Sequence, residues 1–302
     1  MQTVSRALIL RWLLMFLPSF VFAATPDCSE TSGALIPEDP PATAVRADGL
    51  DVPDLQVLRD QNRLYFIMPD GKPGPTTIKL PRLANIVQSI RWSTETKPAM
   101  QLKPEPTEWS IVLSPPPKGA KQIVVVELDR PAEIFSEETI IEADEDSKIV
   151  VLPARHAITR GTNLRFEPQP HKNTVGYWSD IHDTAAWKFR PVEAGTYEID
   201  ILQGCGKGHG GSKVQVQVAD QSLDFVVEET GHFQNFVWRT LGRVELNEPG
   251  PGKSISLKLV PQSKPGGAVM DVRAIRLCPA GIRREFTSEL AEPESLPHKF
   301  KQ

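Results

Sequence analysis

A glycine-rich segment, LQGCGKGHGGSKVQVQV at residues 202–218, offers the first pattern that could do chemistry. It contains a G-x-G-x-x-G match at Gly206, Gly208 and Gly211, with a lysine inside it, as in loops that bind phosphate. Such a loop needs a strand before it and a helix after it, because the helix N-terminus binds the pyrophosphate. Here one strand-like run, TYEIDILQ, precedes the loop and another, SKVQVQV, follows it. We therefore predict a hairpin turn with glycines at positive φ, and no nucleotide site.

A second polar segment, WSDIHD, places Asp180, His182 and Asp183 close together, and such groups could perform acid–base catalysis. The same residue types in a loop between strands also form ordinary Asx turns. His171, His182 and His209 lack the spacing of a zinc site, and we expect them at the surface. No G-x-S-x-G nucleophile motif is present. The sequence therefore predicts no catalytic residue, and a hydrolase acting through Asp180, His182 and Asp183 is kept only as a rival hypothesis.

The elements that must position these residues are short strands. Between residues 51 and 135 the candidate strands are RLYFIM, TTIKL, IVQSIRW, EWSIVL and QIVVVELD, separated by Pro or Gly turns. In EWSIVL the apolar residues alternate with polar or smaller ones, which is the period of a half-buried strand. Eight further candidates follow between residues 149 and 279, with turns at regular intervals. This pattern is typical of a jelly-roll β-sandwich.

The fold predicted from this pattern is all-β, with a small antiparallel β-sandwich domain followed by a jelly roll. The segments we assign are a signal peptide (1–23), a flexible leader (24–50), the small β-sandwich domain (51–135), an acidic linker (136–148), the jelly roll (149–279) and a polar tail (280–302). Within the acidic linker, Ile140 and Ile141 are the residues that could pair locally.

The N-terminal residues predict export. Arg6 and Arg11 give a positive start, an apolar run follows, and Val21 to Ala23 form a small-residue cleavage pattern. The apolar run is interrupted by Pro18 and is too short to span a bilayer of roughly 30 Å. We therefore expect a secreted or periplasmic protein without a membrane partner.

Charge bears on whether the chain binds nucleic acid, and cysteine content bears on whether it forms a disulfide. The chain has 34 basic and 38 acidic residues and no long basic run, so we predict no nucleic-acid partner. Export permits a disulfide, and Cys205 with Cys278 is the pair we consider most compatible with one. The alternative, that both are small buried residues in neighbouring strands, is equally open.

The second half resembles carbohydrate-binding modules of families 6 and 35, the galactose-binding-like sandwiches of bacterial secreted glycosidases and sulfatases. Several motifs carry the resemblance in order: an aromatic loop before the strand AAWKFRPV, then AGTYEI, GHFQNF, GPGKSISLKL and the final MDVRAIRL. They cover about residues 150–278. The resemblance implies that a sugar ring stacks on aromatic side chains in a loop-lined cleft, while a polar side chain near the last strand fixes its hydroxyl groups.

Site residues follow from this resemblance position by position. Tyr177, or its neighbour Trp178, matches the first aromatic wall, and Phe233 stands where the family usually has Trp. Asp271 stands where family 6 commonly has Asn, and Lys264 lies where it could supply a cation at the rim. Trp187 and Trp238, by contrast, sit in strand patterns and are expected to pack. The alternative for Tyr177, Trp178 and Phe233 is likewise packing.

The resemblance also bears on cofactors, because such modules often hold a structural Ca²⁺ through acids on the first strand. Here Arg155 and His156 stand where acids would be wanted, and hard cations need oxygen ligands. We therefore predict no cofactor.

The first half, residues 55–135, resembles the small C-terminal β-domain that follows the barrel of bacterial α-L-fucosidases, mainly in EWSIVL and IVVVELD. A catalytic barrel needs roughly 250 residues, and we expect none here. The function predicted is non-catalytic binding of a polysaccharide or glycan, with a secreted glycosidase or sulfatase as a possible partner. The rivals are an adaptor that docks a secreted protein and the hydrolase named above.

Overall fold

Short strands account for almost all the regular structure in the computed structural model of this chain. The structure describes residues 39–69, 74–98, 100–116, 121–247, 249–250 and 252–282. The predicted signal peptide, most of the predicted leader with Cys28, and the tail beyond residue 282 lie outside the described residues.

The first half contains eight strands in two antiparallel sheets. The strands are β1 (Val45–Arg46), β2 (Gln56–Asp60), β3 (Arg63–Ile67), β4 (Thr77–Pro81), β5 (Val87–Trp92), β6 (Gln101–Pro104), β7 (Glu108–Val112) and β8 (Ile123–Leu128). Sheet A has the order β1-β2-β3-β8-β5, and sheet B has the order β4-β7-β6. All five runs predicted as strands in this half are strands, whereas β1, β2 and β6 were not predicted.

The second half contains the remaining strands and one short 3-10 helix, Ala154–His156. The strands are β9 (Ile140–Glu142), β10 (Val150–Pro153), β11 (Ile158–Arg160), β12 (Arg165–Glu167), β13 (Thr174–Gly176), β14 (Thr184–Arg190), β15 (Gly195–Gly204), β16 (Lys213–Val218), β17 (Gln221–Val226), β18 (Val237–Leu246), β19 (Ile255–Ser263) and β20 (Asp271–Pro279). Sheet C has the order β12-β13-β20-β15-β18 with β10 also on β20, and sheet D has the order β11-β14-β19-β16-β17 with β9 on β14.

Alternation of side chains along the strands explains why these sequences form half-buried sheets. In β14, Ala185, Trp187 and Phe189 are fully buried, while the residues between them are partly exposed. Successive side chains on a strand point to opposite faces, so an apolar period of two builds one core face. β16 follows the same rule with three valines inward. The predicted packing role of Trp187 is confirmed.

The predicted all-β fold is confirmed. Every strand pair in the described residues is antiparallel except the parallel pair of β9 with β14. Inward-facing residues of sheets C and D, including Ile199 from β15 and Val216 from β16, belong to one hydrophobic core, as in a two-sheet sandwich. No helix in the described part of the chain is long and apolar enough to cross a bilayer.

The two halves are packed together. Buried residues from both belong to the same core cluster, and Trp109 of β7 lies 6.3 Å from Phe166 of β12 between ring centroids. The Arg82 guanidinium donates to the Arg155 carbonyl oxygen at 3.1 Å, while its plane lies over Phe135. The division into two domains remains a prediction. The acidic segment is not only a solvated linker, because it contributes β9 to sheet D through Ile140 and Ile141.

The hairpin prediction for the glycine loop is wrong, and the structure decides between the two alternatives left open for the cysteines. β15 belongs to sheet C and β16 to sheet D, so the glycine loop crosses between sheets and is not a hairpin. Cys205 follows Gly204, which pairs with Asp271, whereas Cys278 pairs with Glu198 at the other end of the same strands. Seven residues of strand separate these ends by about 20 Å, which is too far for a disulfide. Both cysteines are buried and are not bonded to each other, as the alternative interpretation expected.

Candidate functional site

An open cavity of about 280 Å³ lies at the end of sheet C where β12, β13 and β20 meet. Its lining combines rings, carboxylates and one ammonium group. The lining residues are Glu167, Lys172, Tyr177, Trp178, Ser179, Phe233, Gln234, Ala268 and Asp271. Four of the five residues predicted to bind carbohydrate are among them, although they come from segments almost 100 positions apart.

Two carboxylates form the polar side of the cavity. Asp271 begins β20 and is 6 % exposed, and Glu167 ends β12 and is 4 % exposed. Between them lies Gly176, where a Cβ would sit 2.8 Å from Glu167 Oε2 and 3.1 Å from Asp271 Oδ1. The missing side chain of Gly176 therefore leaves the space into which both carboxylates project.

Burial raises the pKa of the Asp271 carboxyl well above its usual value, and the negative charge of Glu167 raises it further. The positive charges of Lys172 and Arg273 oppose this pKa shift without cancelling it. Loss of water disfavours a charged carboxylate, and a second carboxylate nearby adds repulsion. Asp271 therefore holds its proton to higher pH than an exposed aspartate does.

Two cations support this side of the cavity. Lys172 Nζ donates to Glu167 Oε1 at 2.8 Å. Arg273 is buried, lies 3.8 Å from the Phe236 ring centroid, and donates to the carbonyl oxygens of His171 and Lys172. Burial lowers the pKa of Arg273 to about 10, despite the opposing charge of Asp271. Arg273 thus fixes the turn that carries Lys172.

Tyr177 forms an exposed aromatic wall at the cavity mouth. Its side chain is 51 % exposed, and its backbone adopts a positive φ of 59° immediately after β13. The Arg165 guanidinium lies 3.5 Å from the ring centroid and Lys172 Nζ lies 5.4 Å from it. The ring is thus oriented by cations and not by the core. Tyr177 thus lines the cavity, and its role in carbohydrate binding stays a prediction.

Trp178 does not share this role. Its side chain is fully buried beneath the cavity, and its indole N–H donates to the Asp183 carbonyl oxygen at 3.0 Å. A sealed indole cannot offer a ring face to a ligand, so the assignment of Trp178 as an aromatic wall is wrong. Its packing alternative is correct.

Phe233 also lines the cavity, and the glycine loop makes room for it. A Cβ on Gly204 would lie 1.9 Å from the Phe233 carbonyl oxygen, and one on Gly206 would lie 2.7 Å from the Phe233 ring. The half-buried Phe233 ring also packs on His209, with 5.1 Å between centroids. Gly204 and Gly206 therefore allow close approach of the segment that carries Phe233.

Lys264 is not part of the cavity lining, and its ammonium group donates to the Gly266 carbonyl oxygen at 2.9 Å. The structure therefore does not bring Lys264 to this cavity, whereas Lys172 lines it. Sequence reasoning also missed Glu167 and Gln234. The only hint at Glu167 was an acid at the end of the short segment LRFE, where apolar and charged residues alternate.

The residues of the rival hydrolase hypothesis have structural roles. The Asp183 carboxylate is buried and accepts backbone N–H groups at 2.7, 3.0 and 2.9 Å from Thr162, Asn163 and Leu164 respectively. Asp180 accepts the backbone N–H of His182 at 2.9 Å, which is an Asx turn. The Asp183 carboxylate is thus already engaged in binding its own chain.

Comparisons with known proteins give matches among solved structures only. No family model matches the chain, and no curated protein does. An α-L-fucosidase from Vibrio sp. strain EJY3 is similar at 15 % identity and a TM-score of 0.32, over 74 % of this chain. The chain spans 39 % of that fucosidase.

Two carbohydrate-binding modules are also similar over less than half of this chain. The C-terminal family 6 module of the laminarinase LamC from Zobellia galactanivorans has 15 % identity and a TM-score of 0.35, over 43 % of this chain and 98 % of the module. A family 35 module from Clostridium thermocellum has 17 % identity and a TM-score of 0.33, over 44 % of this chain and 98 % of the module. These are the protein classes that the sequence motifs indicated.

Proposed function

We propose that this chain is an exported, non-catalytic protein that binds carbohydrate in the cavity between Tyr177 and Phe233. One observation carries the proposal: a single open cavity is lined by the Tyr177 and Phe233 rings together with two buried carboxyl groups, Glu167 and Asp271. A sugar ring has apolar C–H faces and a hydroxyl rim. It therefore matches walls that are aromatic and a base that accepts hydrogen bonds.

The polar groups that line the cavity can form hydrogen bonds with the hydroxyl groups of a sugar. Asp271 and Glu167 present carboxyl oxygens, Lys172 presents an ammonium group, and Gln234 presents an amide that both donates and accepts. The cavity volume of about 280 Å³ is slightly below the roughly 300–1,000 Å³ that ligand pockets usually have. We therefore expect recognition of a single ring or chain end, with a dissociation constant between about 1 µM and 1 mM.

Export and partners form the wider part of the proposal. The N-terminal signal pattern supports secretion into the medium or the periplasm. A module of this kind would keep a secreted glycosidase or sulfatase near its substrate, and we propose that kind of partner. An adaptor that docks another secreted protein is the alternative, and it would use the same loops for protein contacts.

A glycan array followed by calorimetric titration of the best ligand tests carbohydrate binding. Tyr177→Ala and Phe233→Ala should each weaken binding by at least about tenfold, which corresponds to about 1.4 kcal/mol. Because Tyr177 is 51 % exposed, Tyr177→Ala should leave the melting temperature unchanged. Phe225→Ala is the matched control for Phe233→Ala, since Phe225 is half-buried on β17 outside the cavity.

Two results would contradict the proposal. One is an array on which no saccharide binds the folded protein, which would favour the adaptor. The other is equal affinity of the Phe225→Ala and Phe233→Ala variants for the same glycan, which would place binding elsewhere. A screen with chromogenic glycosides and sulfate esters tests the non-catalytic part, and turnover by purified protein would overturn it.

A further inference from the structure

Among the described residues, Glu167 Oε2 and the Asp271 carboxyl lack a hydrogen-bond donor, and both side chains line the cavity. Glu167 Oε2 and Asp271 Oδ1 both lie within 3.1 Å of the position that a Cβ on Gly176 would occupy. Lys172 donates to the other oxygen of Glu167, Oε1. Among the described residues, no group donates a hydrogen bond to the Asp271 carboxylate.

The nearby cations are engaged elsewhere. Lys172 is paired with Glu167, and the Arg273 guanidinium donates to backbone carbonyl oxygens of the turn at residues 171–172. Neither carboxylate is sealed, because no oxygen of Glu167 or Asp271 is among the described buried side-chain atoms that lack a partner. The two acceptors therefore reach the cavity and not a closed interior.

A buried carboxylate without a donor is costly, and a ligand that brings donors removes that cost. Hydrogen bonds between a charged donor and a carboxylate are roughly twice as strong as those between neutral groups. An ammonium group has three N–H donors, which is enough to serve one oxygen of each carboxyl group. An ammonium group beside Asp271 favours the ionised carboxyl and displaces the proton that burial holds there, whereas a ligand carboxylate or sulfate adds a like charge beside Glu167 and Asp271.

We propose that Glu167 and Asp271 select glycans carrying a free amino group, that is, hexosamine units that are not N-acetylated. The inference rests on the proposed function and names its ligand class. N-acetylation removes the positive charge and two of the donors, and it adds bulk. Uronate and sulfated units are excluded by the same pair. Tyr177 and Phe233 contact the sugar ring, while the carboxylate pair contacts its amine.

The test is an array that carries gluco-, manno- and galacto-configured free-amine hexosamine oligosaccharides beside their N-acetylated, neutral and uronate counterparts. Calorimetry then measures the best free-amine oligosaccharide and its matched N-acetylated and hydroxyl forms. Wild-type protein should prefer the free amine by at least about tenfold. Asp271→Asn should abolish this preference and still bind the hydroxyl form, because an amide keeps the shape and one acceptor.

A second variant tests the role of the Glu167–Asp271 pair without changing either carboxyl group. Gly176→Ala places a methyl group 2.8 Å from Glu167 Oε2 and should likewise reduce the preference for the amine. Asp220→Asn, in the exposed turn between β16 and β17, is the matched control and should change nothing. Thermal unfolding of each variant shows whether it is folded.

The possible failures are distinguishable. Binding of neutral or N-acetylated glycans as tight as that of the free amine overturns the inference and leaves carbohydrate binding intact. Retention of the amine preference by folded Asp271→Asn also overturns it. An array on which wild-type protein binds no saccharide overturns the proposed function and this inference together.

Discussion

Asp271→Asn should stabilise the protein, and the gain should grow with pH. The native pKa of Asp271 is raised well above the unfolded value, chiefly by burial and then by the charge of Glu167. Between the two pKa values the native state holds a proton that the unfolded state has released. Raising the pH through that window therefore lowers the free energy of unfolding, and the loss is complete above the native pKa. The amide does not ionise and avoids this loss.

Each pKa unit of difference corresponds to about 1.4 kcal/mol. We therefore expect Asp271→Asn to exceed wild type by at least about 1 kcal/mol at pH 8. The two should be nearly equal at pH 4, close to the unfolded pKa of about 3.9. Glu167 Oε2 and Asp271 Oδ1 both lie beside Gly176, so the two carboxyl groups interact. The observed titration therefore belongs to the pair and not to Asp271 alone.

Urea unfolding of both proteins at pH 4, 6 and 8 measures this difference. Asp220→Asn, whose carboxylate is exposed, should match wild type at every pH. A difference between Asp271→Asn and wild type that stays constant from pH 4 to pH 8 would refute the reasoning. It would mean that Asp271 is solvated or paired in solution. A difference of the opposite sign would refute it as well.

Three further outcomes follow from the packing. Asp183→Ala should lower the free energy of unfolding by about 3 kcal/mol or more in urea titration, since it leaves three backbone N–H groups without their acceptor; an intact melting curve would contradict this. Gly161→Ala should destabilise similarly by thermal melting, because φ is +118° and a Cβ would lie 1.8 Å from Asp183 Oδ1. Cys205 should resist iodoacetamide until urea unfolds the protein, as judged by peptide mass, since burial raises its pKa to about 11 and seals the thiol; rapid labelling of folded protein would disprove it.

Strand positions were largely predictable from sequence, because the period-two pattern is local. β7, β14 and β16 appear as alternating runs, and their inward residues are those the pattern selects. Strands such as β6, β12 and β13 were missed, because they have three or four residues and no alternation long enough to recognise. They are strands only because a longer neighbour offers its backbone groups.

The candidate site was only partly predictable. Tyr177, Phe233 and Asp271 followed from motif order, and the structure brings them to one cavity. Lys264 is not in the cavity lining, and its ammonium group donates a hydrogen bond to the Gly266 carbonyl oxygen in its own loop. Lys172 was missed because nothing along the chain shows that Arg273, about 100 residues later, fixes its turn.

By itself, the sequence determined the longer strands and which side chains along them are apolar, because both depend on residues two to six positions apart. Sheet membership and register were decided only in the tertiary structure. These place β15 and β16 in different sheets, hold Cys205 about 20 Å from Cys278, and bury Trp178 beside an exposed Tyr177. Each strand could pair with several strands that are distant in sequence, and which pairing forms depends on how the whole core packs.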